Sequence, residues 1–303
     1  MPNTLRKITI AIPVYERYEY FEDAIYSAIN QTVSANILVV DNNSSHARFK
    51  DFVDSLKNPQ VSYIRNSENV GMVENWNVCI DKTETEWVTI LHSDDMLSPV
   101  YIANMLAYIE KFPYLISVAS DTHFGTAVRP DFNDPKKNIV FPFNRIKPNH
   151  FLLGNPIPFP GVLFNKRKIN TKFKKDMYPI ADYSFWYELS LISPLHFVNK
   201  KLAFYRISPQ QETSEVYLEI VEKAYRFKNT ITARNLLEIF LSKLDTYVGF
   251  KNYSKTHNGE DNLLNDSKYS CRHLIESYSK IPIPLFMQRI FVRIAKRIYI
   301  SLT

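Results

Sequence analysis

The chain has 303 residues, 45% of them apolar and 22% charged, with a formal net charge of +6. That size and apolar share speak for a globular protein, either one large α/β domain or a catalytic domain with a smaller appendage. Two cysteines, Cys79 and Cys271, exclude a disulfide framework and a cysteine metal site, and point to a reducing compartment.

Residues 7–13 read as a buried strand ended by proline, followed by an amphipathic helix over about 18–30 with Phe21, Ala24, Ile25, Ala28 and Ile29 on its apolar face. Then come a strand at 36–40, a helix at 47–56, a strand at 61–65, a helix at 73–82, a strand at 87–91 and a helix at 99–111. Continuous apolar strands alternating with helices predict a Rossmann-like, doubly wound α/β fold with a mainly parallel sheet covered on both faces.

In such a sheet, ligands bind outside the carboxyl ends of the strands. Here those ends carry Pro13-Val14-Tyr15-Glu16, Asp41-Asn42-Asn43, Asn69-Val70-Gly71 and His92-Ser93-Asp94-Asp95. Four polar clusters therefore share one rim. Six glycines supply neither a dinucleotide fingerprint nor a phosphate-binding P-loop, which disfavours a Rossmann dehydrogenase and a P-loop NTPase.

From about residue 121 to 160 the pattern loosens, and Pro130, Pro135, Pro142, Pro148, Pro156, Pro158 and Pro160 rule out a long helix. Residues 161–164 are expected to form a strand, 182–191 a short helix, and 196–198 and 202–206 two further strands. Beyond residue 213 the chain turns helical over about 214–247, followed by a polar loop at 252–267 and two last helices.

The basic excess is local, at residues 166–175 and in the tail. In 288–300 a helical projection sets Arg289, Arg293, Lys296 and Arg297 against Ile290, Phe291, Ile294, Ala295, Ile298 and Tyr299. That pattern suits a helix lying on an anionic membrane surface, or a terminal helix packed on its own domain with a solvated basic face. Nucleic acid is disfavoured as a partner, since no zinc-knuckle, homeodomain or RRM-like pattern accompanies the charge. The N-terminus lacks a signal-peptide core and no apolar run reaches the roughly 18 to 20 residues that span a bilayer. A cytoplasmic protein is expected, with peripheral contact on the inner face of the plasma membrane left open.

Asp94 and Asp95 stand where the strand at 87–91 must end. Such a pair starts a turn or caps the helix suggested by Ser98-Pro99, or it holds a hard cation; Mg²⁺ and Mn²⁺ usually take one or two carboxylates together with substrate phosphates.

Four ordered blocks decide between these readings: Ile12-Pro13-Val14-Tyr15-Glu16-Arg17, Val39-Val40-Asp41-Asn42-Asn43-Ser44-Ser45, Asn69-Val70-Gly71 with Asn75-Trp76-Asn77, and Ser93-Asp94-Asp95. Together they resemble the inverting family 2 glycosyltransferases of the nucleotide-diphospho-sugar-binding GT-A fold, closely over about residues 7–112 and more loosely to about 214. The resemblance implies a catalytic domain at 1–213, with a nucleotide-sugar-binding half at 1–112 and an acceptor-side half at 113–213, and a helical extension at 214–303. It also implies a nucleotide-sugar donor, most simply a UDP-sugar, and transfer to a hydroxyl of a cell-surface glycan or lipid-linked acceptor. The Gln-X-X-Arg-Trp motif of processive synthases is absent, so addition of single sugars is expected. A homo-oligomer is left open.

Carried over residue by residue, the resemblance makes Asp41 the acceptor for the N3–H of uracil and Pro13 and Tyr15 contacts of the base or ribose. Glu16, Asn69, Gly71 and Asn75 fall in the same nucleotide-binding set. Asp95 becomes the ligand of Mn²⁺ or Mg²⁺, with Asp94 beside the ribose or supporting the metal, Ser93 next to it, and His92 either a third ligand or a polar neighbour. Asp182 becomes the general base, a role compatible with capping the helix that follows it. Arg206 becomes a bidentate partner of the diphosphate. The sequence departs from the fullest family pattern at Glu16, Asn42, Ser93, Ala181 and Ser208. Two other readings remain: a sugar-phosphate nucleotidyltransferase, which should carry a Gly-rich basic loop after the first strand, and a catalytically inactive nucleotide- or glycan-binding relative.

Overall fold

The computed structural model describes residues 7–126, 130–132, 145–208 and 216–256, together with 287, 288, 290, 292, 294 and 295; of 250–256 the backbone alone is described. Four parallel strands, β1 (Ile8–Val14), β2 (Asn36–Asp41), β3 (Val61–Arg65) and β4 (Trp87–Ile90), form half of the sheet in the order β3-β2-β1-β4. Helices α1 (Phe21–Ile29), α2 (Arg48–Leu56) and α3 (Met72–Lys82) connect them, and α4 (Tyr101–Lys111) follows β4.

The apolar runs are continuous because both faces of these strands are covered. Alternation sends Ile8, Ile10, Ile12 and Val14 to one face, where Phe21 and Ile25 of α1, Phe49 of α2 and Tyr101 and Met105 of α4 bury them. Ala11 faces the other side with Trp76, Cys79 and Ile80 of α3. The doubly wound arrangement expected from the sequence is what forms.

The second half departs from a parallel sheet. It comprises β5 (Met96–Leu97), β6 (Ser117–Gly125), β7 (Arg145–Ile146), β8 (Val162–Asn165) and β9 (Leu195–Arg206), and the nine-stranded order continues β4-β8-β6-β9-β5, with β7 also on β9. Strand β8 runs antiparallel to both β4 and β6, while β6 and β9 are parallel to each other. Gly161 makes the entry to β8 possible: at φ +91° it sits so close that a Cβ would lie 2.5 Å from Ser120 Oγ and 3.1 Å from Ala203 Cβ.

Three expectations are corrected here. The strands expected at 196–198 and 202–206 are one, because Asn199, Lys200 and Lys201 continue the ladder through a register shift opposite Ser120, Asp121 and Thr122. The segment from 121 is ordered as the end of β6, whose polar run Ser120-Asp121-Thr122-His123 hid it from an apolar-periodicity reading. The single helix expected over 214–247 is two, α6 (Tyr217–Lys228) and α7 (Leu236–Thr256). They are separate because Asn235 Oδ1 accepts the Glu238 N–H at 3.0 Å, an N-cap that starts a new helix.

Helix α5 (Ala181–Ile192) covers the same face as α3 through Phe185, Trp186 and Leu189. Among the described residues, no helix is long and apolar enough to cross a membrane.

Candidate active site

The carboxyl ends of the parallel strands open onto a cavity of about 650 Å³. Pro13 and Tyr15 line it from the end of β1, Asn42 from the end of β2, and Asn69, Gly71 and Asn75 from the β3–α3 turn and the start of α3. His92, Ser93 and Asp94 line it after β4, and Asp182 faces it from the first turn of α5. Eight sequence-predicted residues therefore meet in one space: Pro13, Tyr15, Asn69, Gly71, Asn75, Ser93, Asp94 and Asp182.

The nucleotide-side wall is a network of amides. Asn42 Nδ2 donates to Asn69 Oδ1 at 2.7 Å, Asn42 Oδ1 accepts from Asn66 Nδ2 and the Val70 N–H at 3.0 Å each, and Asn66 Nδ2 also reaches Asn75 Oδ1 at 2.9 Å. Satisfied this fully, the turn is rigid before any ligand arrives. Gly71, at φ +86° with nothing within 4 Å of where a Cβ would stand, keeps the α3 N-terminus open to the cavity.

Four expected site residues do not form the cavity wall. The Asp41 carboxylate is fully buried; it accepts the Ser44 N–H (2.9 Å) and hydroxyl (2.6 Å) on Oδ1 and the Tyr63 hydroxyl (2.6 Å) on Oδ2. It folds its own loop, and Asn42 takes the wall position beside it. Glu16, at φ 53°, clasps the neighbouring loop, accepting the Ser45 N–H and hydroxyl at 2.8 Å each. Those two bonds hold its carboxyl below the usual range.

Arg206 is buried behind the acidic turn. Its Nε donates to the Asp94 carbonyl at 2.8 Å, its Nη2 pairs with Asp23 at 3.0 Å, and its guanidinium lies 4.2 Å from the Tyr20 ring centroid. Its N–H donates to Asp95 Oδ1 at 3.0 Å. A guanidinium so engaged supports the turn, and the diphosphate pairing expected for it has no geometric counterpart here.

Asp95 is 1% exposed, and the Asp95 N–H donates to the His92 carbonyl at 3.1 Å, so the two acids ride on one tight turn. Asp95 Oδ2 is buried without a hydrogen-bond partner, with His92 Nδ1 3.9 Å away. An orphaned carboxylate oxygen in a buried setting is costly, and a cation is the partner that fits it. Ligand atoms of His92, Asp94 and Asp95 all lie within 4.8 Å of one another. Burial, followed by the charge of Asp94, raises the Asp95 carboxyl well above its usual range. His92 stacks on both Trp76 (5.3 Å) and Phe159 (4.0 Å), which also touch each other at 4.7 Å, and burial pushes its imidazole down to about 4, so it is neutral and able to ligate. Oxygen ligands joined by one imidazole suit Mg²⁺ or Mn²⁺.

Asp182 stands apart from this cluster in chain and in chemistry. Burial pushes its carboxyl up to about 6, against the lowering effects of the Tyr183 N–H, its own N–H and the Asn155 amide. Asn155 Nδ2 donates to Asp182 Oδ2 at 3.0 Å. A carboxyl at that position titrates where a general base must work.

Sequence reading missed the aromatic part of the wall. Trp76, Phe159, Tyr178 and the contacting pair Phe124 and Tyr205, tilted 40° to each other at 5.3 Å, all face the cavity. The signal available was an aromatic residue at the carboxyl end of each of β6 and β9, and the first of those strands was not recognised.

The model of the family described as "Glycosyl transferase family 2" matches residues 9–173 of this chain. The chain belongs to glycosyl transferase family 2. An uncharacterized glycosyltransferase of Haemophilus influenzae is 24% identical over 252 residues, covering 78% of this chain and 75% of that protein. Among solved structures, Staphylococcus aureus TarS 1-349 in complex with UDP-GlcNAc superposes with a TM-score of 0.61 at 13% identity, covering 97% of this transferase and 90% of that chain. The mannosyltransferase PcManGT from Pyrobaculum calidifontis, in complex with GDP-Man and Mn²⁺, gives 0.62 at 10% identity, covering 99% and 87%. These likenesses establish the GT-A fold, and family membership makes the chain a glycosyltransferase.

Proposed function

We propose that this transferase moves a single sugar, with inversion, from a UDP-sugar to a hydroxyl of a neutral glycan or lipid-linked acceptor, in a reaction that requires Mn²⁺ or Mg²⁺. The observation that carries the reading is Asp95 Oδ2, buried without a partner beside Asp94 and His92 at the edge of a cavity that Asp182 also faces.

Charge favours a metal. Among its described lining residues the cavity carries one cationic side chain, Arg17, and three acids, Glu19, Asp94 and Asp182. A nucleoside diphosphate entering that surface needs positive charge from elsewhere. His92, Asp94 and Asp95 would hold a divalent cation, which as a Lewis acid stabilises the negative charge that grows on the departing diphosphate.

Asp182 supplies the other half of the chemistry. Its carboxylate takes the proton of the acceptor hydroxyl while that oxygen bonds to the anomeric carbon; the bond from that carbon to the phosphate oxygen breaks on the opposite side, and its electron pair leaves with the nucleoside diphosphate. Configuration inverts because one displacement occurs. Phe124 and Tyr205 add apolar faces to the cavity wall, which suits a neutral sugar ring better than a phosphorylated one. Tyr15, 45% exposed at the rim, offers the base a ring to stack on, and uracil is the base to be tested first.

Thermal melts with UDP, GDP, dTDP and CMP, each with Mn²⁺ or with a chelator, test this reading. UDP with Mn²⁺ at a hundredfold excess over Kd should add about 2.7 kcal/mol of stability, and the chelator should remove it. Absence of a response to every nucleotide would sink the donor site; a response to GDP instead would reassign the base.

A further inference from the structure

The C-terminal helical residues leave an apolar surface that no described element covers. Val292 is buried, packed with Leu244, Tyr247 and Val248 of α7, and Ala295 packs against the core beneath α3 and α5. Met287, Ile290 and Ile294, spaced by three and four residues on the same turns, are 49%, 51% and 51% exposed. The tail helix is therefore seated on the protein by one stripe and presents a second apolar stripe outward.

A second exposed apolar group lies at the start of α7, where Leu236, Leu237 and Ile239 are 83%, 52% and 39% exposed. Exposed Leu and Ile in the first turn of a helix, outside the core clusters and the cavity lining, serve neither the fold nor the cavity. The charge of the tail is one-sided as well: residues 287–303 contain Arg289, Arg293, Lys296 and Arg297 and no acidic residue. Apolar side chains that are already solvent-facing, within a segment carrying cations alone, match the interfacial zone of an anionic bilayer, where acyl chains receive the first and headgroups the second.

We propose that this transferase docks on anionic membrane surfaces through Met287, Ile290 and Ile294, with the first turn of α7 as a second apolar contact. The inference rests on the C-terminal surface and not on the donor-site reading.

The test is co-sedimentation of the full chain with vesicles of phosphatidylcholine alone and of phosphatidylcholine with phosphatidylglycerol at three to one. The full chain should pellet with the anionic vesicles and stay in solution with the neutral ones, and raising the salt to 0.5 M should weaken the binding. Ile290→Glu with Ile294→Glu should lower the bound-to-free ratio at least tenfold while the melting temperature in the absence of vesicles stays at the wild-type level. Ile290→Ser with Ile294→Ser serves the same purpose if the glutamate pair fails to fold. Failure of the wild type to bind, equal binding to both vesicle types, or binding untouched by the variants would overturn the proposal. So would a wild type that elutes as a dimer and a variant that elutes as a monomer, since the surface would then join two copies. Nucleotide-dependent melts are read without vesicles, so failure of the donor site is scored separately.

Discussion

Asn155 and Asp182 are joined by a 3.0 Å hydrogen bond, and the Asn155 amide is held the right way round because its Oδ1 accepts the Ile157 N–H at 3.1 Å. The Nδ2 group must then face Asp182. This sets which proton-donating group the carboxylate meets and keeps the ionised form accessible in a partly buried position.

The pH profile should report that carboxyl. With Asp182 pushed up to about 6, log kcat/KM should fall with a slope of one below about pH 6 and level off above it. Asn155→Ala removes a bond that favours the charged form, so the acid limb should move to higher pH by about one unit. A limb that stays in place would show that Asn155 has no part in setting the base.

Asp182→Asn should lower turnover by about 100- to 10,000-fold while the UDP and Mn²⁺ melting shift remains. Stability has its own sign. The folded carboxyl, at about 6, lies above its ordinary value of 3.8, so the ionised form is disfavoured in the fold. That cost is present above pH 6 and is relieved as the pH falls from 6 towards 4. The Asn variant should therefore melt no lower than wild type at pH 7.5, and calorimetry checks it.

Asp95→Asn separates binding from folding in the opposite part of the cavity. It keeps a carbonyl for the Arg206 N–H and removes a buried charge whose Oδ2 has no partner. The free protein should melt at the wild-type temperature or above, whereas the Mn²⁺-dependent shift with UDP should vanish. A variant that keeps the shift would remove Asp95 from the metal set.

Arg206→Ala should act on the fold first. The side chain is 2% exposed, paired with Asp23 and seated on Tyr20 while it holds the Asp94 carbonyl. Its loss should cost about 3 kcal/mol and loosen the acidic turn. Arg206→Lys should not restore it, because an ammonium cannot stack on Tyr20 and reach both oxygens in a planar fork. Denaturant titration gives the stability, and the Mn²⁺ concentration at half-maximal melting shift gives the effect on the turn.

The parallel half of the sheet was legible because its strands are buried on both faces. Continuous apolar runs such as Ile8 to Ile12, separated by helices with a clear apolar stripe, leave little choice of topology. The polar tips were legible for the same reason: Asp94 and Asp95 could stand only where such a strand ends. Strand β6 was not legible, since Ser120, Asp121, Thr122 and His123 are buried yet polar, and their partners come from β9 and from the segment before β8. The split between α6 and α7 depended on a cap at Asn235 within an otherwise helical composition.

By itself the sequence determined the element order, the rim and the residue types gathered there, because burial period and chain direction are local properties. The tertiary structure alone decided which side chains face the cavity. Asp41 and Arg206 carry the right chemistry for a donor site, but Ser44 and Tyr63 claim the first, and Asp23 with the Asp94 carbonyl claims the second. Asp95 was left with an oxygen unmatched and Asp182 with a raised carboxyl. Apart from the local bond to Ser44, the partners that made that selection lie 22 residues (Tyr63), 112 residues (Asp94) and 183 residues (Asp23) away in sequence, and no local pattern encodes them.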